Sequence, residues 1–199
     1  ASNNRAIRLD RETTEGNDLA TLYIAPGYEI RRAEIDGDNY TGGVETKFVF
    51  ADGMRIARVV ERGQFDDWPS AMPVGYVFYT LTNHLGSAAV TVNANPNYGF
   101  GETDIVVAQT QLPYGSEDAI VESSIYDGWN PDYEFTGKEE DPDVGLIYFG
   151  ARFYSPGLGR WVSADPLAVH GLGADLNQYR YVEANPIILV DPNGLEVEV

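Results

Sequence analysis

Apolar residues arrive along this chain in short runs of about five to seven, rich in aromatic and β-branched side chains and separated by Gly, Asn, Asp and Pro. The pattern predicts β-strands almost throughout, best marked at 21–24, 44–50, 76–82, 88–92, 105–110 and 146–154. Asp36-Gly37-Asp38-Asn39 and Asn83-His84-Leu85-Gly86-Ser87 read as hairpin connections, with Gly or Asn supplying positive φ where strands reverse. One short helix is predicted from 175 to about 182: Asp175 caps it, and Leu176, Tyr179 and Val182 share a face. Asn185-Pro186 ends it by Ala184. The fold class expected is all-β, an antiparallel hairpin strip with one short helix near the C-terminus. Such a strip buries both faces only by curling or stacking, and its edges need cover from the remainder of a longer protein or from another chain. An independent β-sandwich is the alternative.

Composition narrows the function classes. The 199 residues carry 31 acidic and 13 basic side chains, a formal net charge of -18, and no cation stands between Arg62 and Lys138. No basic stripe can track a phosphate backbone, so neither nucleic acid nor an anionic membrane is an expected partner. The longest apolar run near the end, Ile187-Ile188-Leu189-Val190, is far too short to cross a bilayer. Lys47 and Lys138 are the only lysines, and the other cations are arginines, which suit fixed carboxylate pairing. Absence of cysteine removes disulfides, thiolate catalysis and thiolate zinc sites. The first residue is Ala1 and no signal-like leader follows, so both ends read as cuts in something longer.

From Phe135 onward the text becomes specific. Phe135-Thr136-Gly137-Lys138-Glu139 is followed by Gly145-Leu146-Ile147-Tyr148-Phe149-Gly150-Ala151-Arg152-Phe153-Tyr154, by Gly159-Arg160-Trp161-Val162-Ser163-Ala164-Asp165-Pro166, and by Asp191-Pro192-Asn193-Gly194-Leu195. Together with His84-Leu85-Gly86-Ser87, Leu112-Pro113-Tyr114-Gly115 and a degenerate YD repeat at Phe48-Val49-Phe50-Ala51-Asp52-Gly53-Met54-Arg55, this resembles the RHS repeat-associated core domain of RHS/YD-repeat proteins, which include the C component of Tc toxin complexes. The resemblance spans about 44–195 and is strongest over 135–195. Ser155, Gln178 and a longer stretch after Asp165 depart from the usual pattern.

The resemblance implies a hollow shell of spiralling β-strip, with 1–134 as strip and 135–199 as the core that plugs one end. It implies as partners the remaining shell and a toxin cargo beyond the Asp-Pro-x-Gly-Leu motif, no cofactor, and a secreted or cell-surface location. It also implies an aspartic self-protease that cuts between Leu195 and Glu196.

The residues support that chemistry. Aspartyl proteolysis needs two carboxylates, one accepting a proton from water while the other donates. Asp165 and Asp191 are the candidates, each followed by Pro, which fixes a turn. Arg160 is expected to orient a carboxylate or polarise the scissile carbonyl. The competing reading is that both Asp-Pro pairs only start turns in a structural β-module. On that reading Glu196-Val197-Glu198-Val199 alternates like an edge strand and drives oligomerisation through exposed strand edges. Tyr148 through Trp161 reads as core packing. Asp36, Asp38 and Asn39 have the alternation of a calcium loop but lack its later Glu, so a solvated turn is expected and no metal. His84 reads as a hairpin residue bonded to local backbone, and His170 has no metal partners in sequence. Asn39-Tyr40-Thr41 fits a glycosylation sequon too common to decide anything.

Overall fold

The computed structural model describes residues 6–11, 18–36, 39–62, 75–94, 104–123, 131–167 and 176–199. Their regular structure is antiparallel β, in two compact units: 2–80 with 92–104, and 81–91 with 105–199.

In the first unit, strands β1 (Ile7–Arg11), β2 (Asp18–Ala25) and β3 (Tyr28–Asp36) pair antiparallel in sequence order. Strand β3 then serves two partners: its end pairs with the short β4 (Asn39–Thr41) and its start with β5 (Val44–Ala51). Asp36 and Asn39 are paired across the turn as the hairpin reading requires, while Gly37 and Asp38, the latter part of the calcium-like alternation, lie outside the described residues. Strand β6 (Met54–Arg62) follows β5 through a two-residue turn, and β7 (Gly75–Thr82) pairs with β6. Ala20, Leu22, Ile30 and Ala33 form a small buried cluster: Ala20 and Leu22 alternate along β2, and a register shift, with Arg32 at φ 57°, sets Ala33 and Ile30 opposite them although they lie three apart in β3.

In the second unit, β8 (Ala88–Asn93), β9 (Asp104–Gln111) and β10 (Glu117–Glu122) are neighbours. A separate four-stranded sheet follows, ordered β11 (Glu139–Asp141), β12 (Leu146–Tyr148), β13 (Phe153–Ser155) and β14 (Arg160–Trp161). The single strand expected over 146–154 is therefore two. Gly150 takes φ 106°, and the Phe149 N–H donates to the Arg152 carbonyl at 3.0 Å, so the chain reverses between Tyr148 and Phe153. Phe135, Ile147, Phe149, Tyr154, Trp161, Tyr181 and Val182 are buried together, with Tyr114 and Leu189 packed against them. Tyr154 and Tyr181 have ring centroids 4.4 Å apart, and Phe149 meets Trp161 edge-on at 5.1 Å.

The expected helix over 175–182 is not formed in its described part. Backbone groups that an α-helix would use internally are spent sideways: the Trp161 N–H donates to the Tyr179 carbonyl at 2.9 Å, the Asp165 N–H donates to the Gln178 carbonyl at 3.0 Å, and Arg180 bridges Arg160. A 3-10 turn at Val182–Ala184 follows, with Val182, Glu183 and Ala184 all at positive φ. Side-chain periodicity alone did not show this competition for hydrogen bonds.

Candidate active site

The site lies within the second unit and is built on the reversal between β12 and β13. That turn delivers Arg152 into the interior, where its side chain is 4 % exposed and its guanidinium lies 4.1 Å over the Trp161 ring. Nη1 stands 3.1 Å from Asp165 Oδ2, Nη2 stands 3.4 Å from Asp191 Oδ2, and Nε donates to the Gly194 carbonyl at 2.5 Å. One cation thus gathers both sequence-predicted aspartates and the loop before Leu195.

Each aspartate is fixed by the turn it starts. Asp165 Oδ1 accepts the Leu167 N–H at 2.8 Å across Pro166. Asp191 Oδ1 accepts three N–H groups, from Asn193 at 3.2 Å, Gly194 at 2.6 Å and Leu195 at 3.1 Å. Asp191 is 1 % exposed, and burial pushes its carboxyl above the usual range. The N–H groups of Asn193, Gly194 and Leu195 and the charge of Arg152 pull the other way without cancelling that rise. The site therefore joins a buried acid that holds its proton more tightly than usual to a partner, Asp165, nearer solvent.

Arg160, the cation expected to orient a carboxylate, is not among the residues gathered here. It is exposed in β14, and the alternation of a strand turns it away from the face on which its neighbour Trp161 is buried. Sequence reasoning passed over Arg152, although a cation set in the aromatic run Tyr148-Phe149-Gly150-Ala151-Arg152-Phe153-Tyr154 is itself a signal of a buried, paired charge.

The segment around Leu195 is well held. Asn193 Oδ1 accepts the Leu195 N–H at 2.9 Å and the Glu196 N–H at 3.3 Å. Lys138 Nζ donates to the Pro192 carbonyl at 2.6 Å. Val190 and Glu198 exchange both backbone hydrogen bonds, at 2.9 and 2.8 Å. The final four residues, read as an edge strand for another sheet, turn back on their own chain through that bridge. The Asn83–Ser87 turn is closed by Asn83 Oδ1, which accepts the Leu85 and Ser87 N–H groups. His84 leaves this local backbone and donates from Nε2 to the Ile187 carbonyl at 2.7 Å, so its expected role passes to Asn83. His170 lies outside the described residues. Among the described residues, no group of three His, Cys, Asp or Glu side chains is placed to hold a metal ion.

No protein-family model matches the chain. It is 36% identical over 117 residues to the toxin subunit YenC1 of Yersinia entomophaga, covering 59% of this chain and 11% of that subunit. It is 28% identical over 204 residues to the toxin subunit YenC2 of the same organism, covering 98% of this chain and 19% of that subunit. The chain thus spans between about a tenth and a fifth of these relatives' length. Among solved structures, the TcdB2-TccC3 complex without its hypervariable C-terminal region superposes with a TM-score of 0.77 at 25% identity, over 97% of this chain and 8% of that one. A Photorhabdus luminescens Tc holotoxin pore gives a TM-score of 0.78 at 24% identity, over 99% of this chain and 8% of that one, which is a likeness of fold alone. In motif order, antiparallel strand pattern and these likenesses, the chain is similar to the RHS-containing C-component segments of Tc toxins.

Proposed function

We propose that this chain forms the closing part of an RHS shell and cuts itself after Leu195, with Asp165 and Asp191 as the catalytic carboxylates and Arg152 as the group that assembles them. The observation that carries this reading is the convergence of both Oδ2 atoms on the Arg152 guanidinium while its Nε binds the Gly194 carbonyl. In the proposed step, Asp165 accepts a proton from a water molecule as the water oxygen bonds to the Leu195 carbonyl carbon. Asp191, which burial favours in its protonated form, supplies a proton to the Glu196 nitrogen as the C–N bond breaks. The carboxylates then exchange a proton through solvent, and no net proton is consumed at the dyad. The products are a C-terminal Leu195 carboxyl group and a segment beginning at Glu196. In this reading the remaining RHS shell and a toxin cargo that starts at Glu196 are the partners, and the location is outside the producing cell.

A purely structural reading is supported by the same turns, because both Oδ1 atoms cap backbone N–H groups whether or not chemistry follows. The intact mass of the full chain separates the two. Asp165→Asn and Asp191→Asn are expected to keep the β-rich circular dichroism spectrum and to retain the segment after Leu195. Undiminished loss of that segment in both variants would falsify the protease reading.

A further inference from the structure

The loop leading to the proposed cut has its backbone groups tied one after another. The carbonyls of Pro192, Asn193 and Gly194 accept from Lys138 Nζ, the Ala151 N–H and Arg152 Nε respectively. The N–H groups of Asn193, Gly194 and Leu195 all donate to Asp191 Oδ1. The next N–H along the chain, that of Glu196, belongs to the nitrogen that a cut after Leu195 would release. Asp191 does not take it; Asn193 Oδ1 does, at 3.3 Å.

We infer that Asn193 is a positioning residue for the scissile peptide, its side-chain carbonyl setting the orientation of the Leu195–Glu196 amide plane. This rests on the cleavage reading above. The physical reason is the geometry of a trans peptide, in which N–H and C=O lie in one plane and point in opposite directions. Pinning the Glu196 N–H to Asn193 turns the Leu195 carbonyl away from Asn193 and presents one fixed face of its carbon. Hydrolysis is faster when the attacked carbonyl is held in one orientation, because the rotation need not be frozen at the moment of reaction. The Leu195 N–H already has an acceptor in Asp191, so Asn193 duplicates that bond and makes its unshared contribution at Glu196.

The test follows loss of the segment after Leu195 by intact mass in the full chain, alongside hydrogen exchange of single amides. Asn193→Ala is expected to slow the cut about tenfold, the scale of one lost hydrogen bond expressed in a barrier. Asn193→Asp, which keeps the acceptor oxygen, is expected to restore most of the rate. In an uncut Asp165→Asn background, Asn193→Ala is expected to raise exchange of the Glu196 amide about tenfold while that of Gly194, held by Asp191, stays unchanged. A native cutting rate in Asn193→Ala, with both aspartate variants blocked, overturns the role of Asn193 and leaves the protease reading standing. Continued cutting in the aspartate variants overturns the protease reading itself. If Gly194 exchange rises together with that of Glu196, Asn193 is a cap for the whole turn and the inference is wrong.

Discussion

Asp165 and Asp191 divide their carboxylate oxygens in the same way: Oδ1 accepts backbone N–H groups of the turn that follows, and Oδ2 faces Arg152, at 3.1 and 3.4 Å. Each aspartate is thus a turn former and a member of a charged cluster at once. The turn sets where the second oxygen points, and the proline after each aspartate keeps the turn stiff.

The first prediction concerns the cation. Arg152→Met keeps an apolar stem against Trp161 but leaves Asp191 buried without its charge partner, and is expected to cost about 3 kcal/mol of stability. Arg152→Lys keeps the charge but lacks the planar fork that reaches Asp165, Asp191 and the Gly194 carbonyl together. Both variants are expected to lose cutting, and urea denaturation is expected to rank them Met below Lys below native.

Stability is also expected to fall between about pH 4.5 and 7. Burial, followed by the negative charge of Glu140, pushes Glu134 from 4.5 up to about 7, against a hydrogen bond from Gln109; Glu117 and Asp132 add to the rise. Because the folded value lies above the unfolded one, the contribution is complete below 4.5 and is lost as pH rises through about 7. Glu134→Gln removes the titration, so its denaturation midpoint is expected to change less across this window than that of the native chain.

The aromatic cluster supplies the third prediction. Trp161 meets Phe149, Tyr154 and Tyr181 at 5.1, 5.6 and 5.4 Å and carries the Arg152 guanidinium on its face. Trp161→Ala is expected to lower stability by about 4 kcal/mol, measured by thermal or urea unfolding. It is also expected to slow cutting through the loosened Arg152.

Gly115 closes the β9–β10 turn at φ +88°, and an added Cβ there falls 2.6 Å from Phe135 Cγ. Gly115→Ala forces a left-handed alanine and a displaced core ring together, at an expected cost of about 3 kcal/mol by chemical denaturation. Gly53→Ala, at φ +75° with open space around the new Cβ, bears only the backbone strain and is the control.

Much of the architecture was legible in the order of residues. Runs of β-branched and aromatic side chains mark β2, β5, β7, β8 and β9, because alternation along a strand is a local property. The Asp-Pro pairs were legible for the same reason, since a proline and a short acceptor side chain define a turn without distant help. Three features were not. The break between β12 and β13, the lost helix before Val182 and the choice of Arg152 over Arg160 each depend on groups that meet only in the folded chain. Residues 177–180 have helical periodicity, but the carbonyls of Gln178 and Tyr179 are taken by the N–H groups of Asp165 and Trp161, and such competition has no local signature. Arg152 and Arg160 are equivalent as letters. Burial beside Trp161 and the approach of Asp191 from 39 positions away single out Arg152 as the paired cation, because a buried charge is held only where opposite charges and donors converge on it.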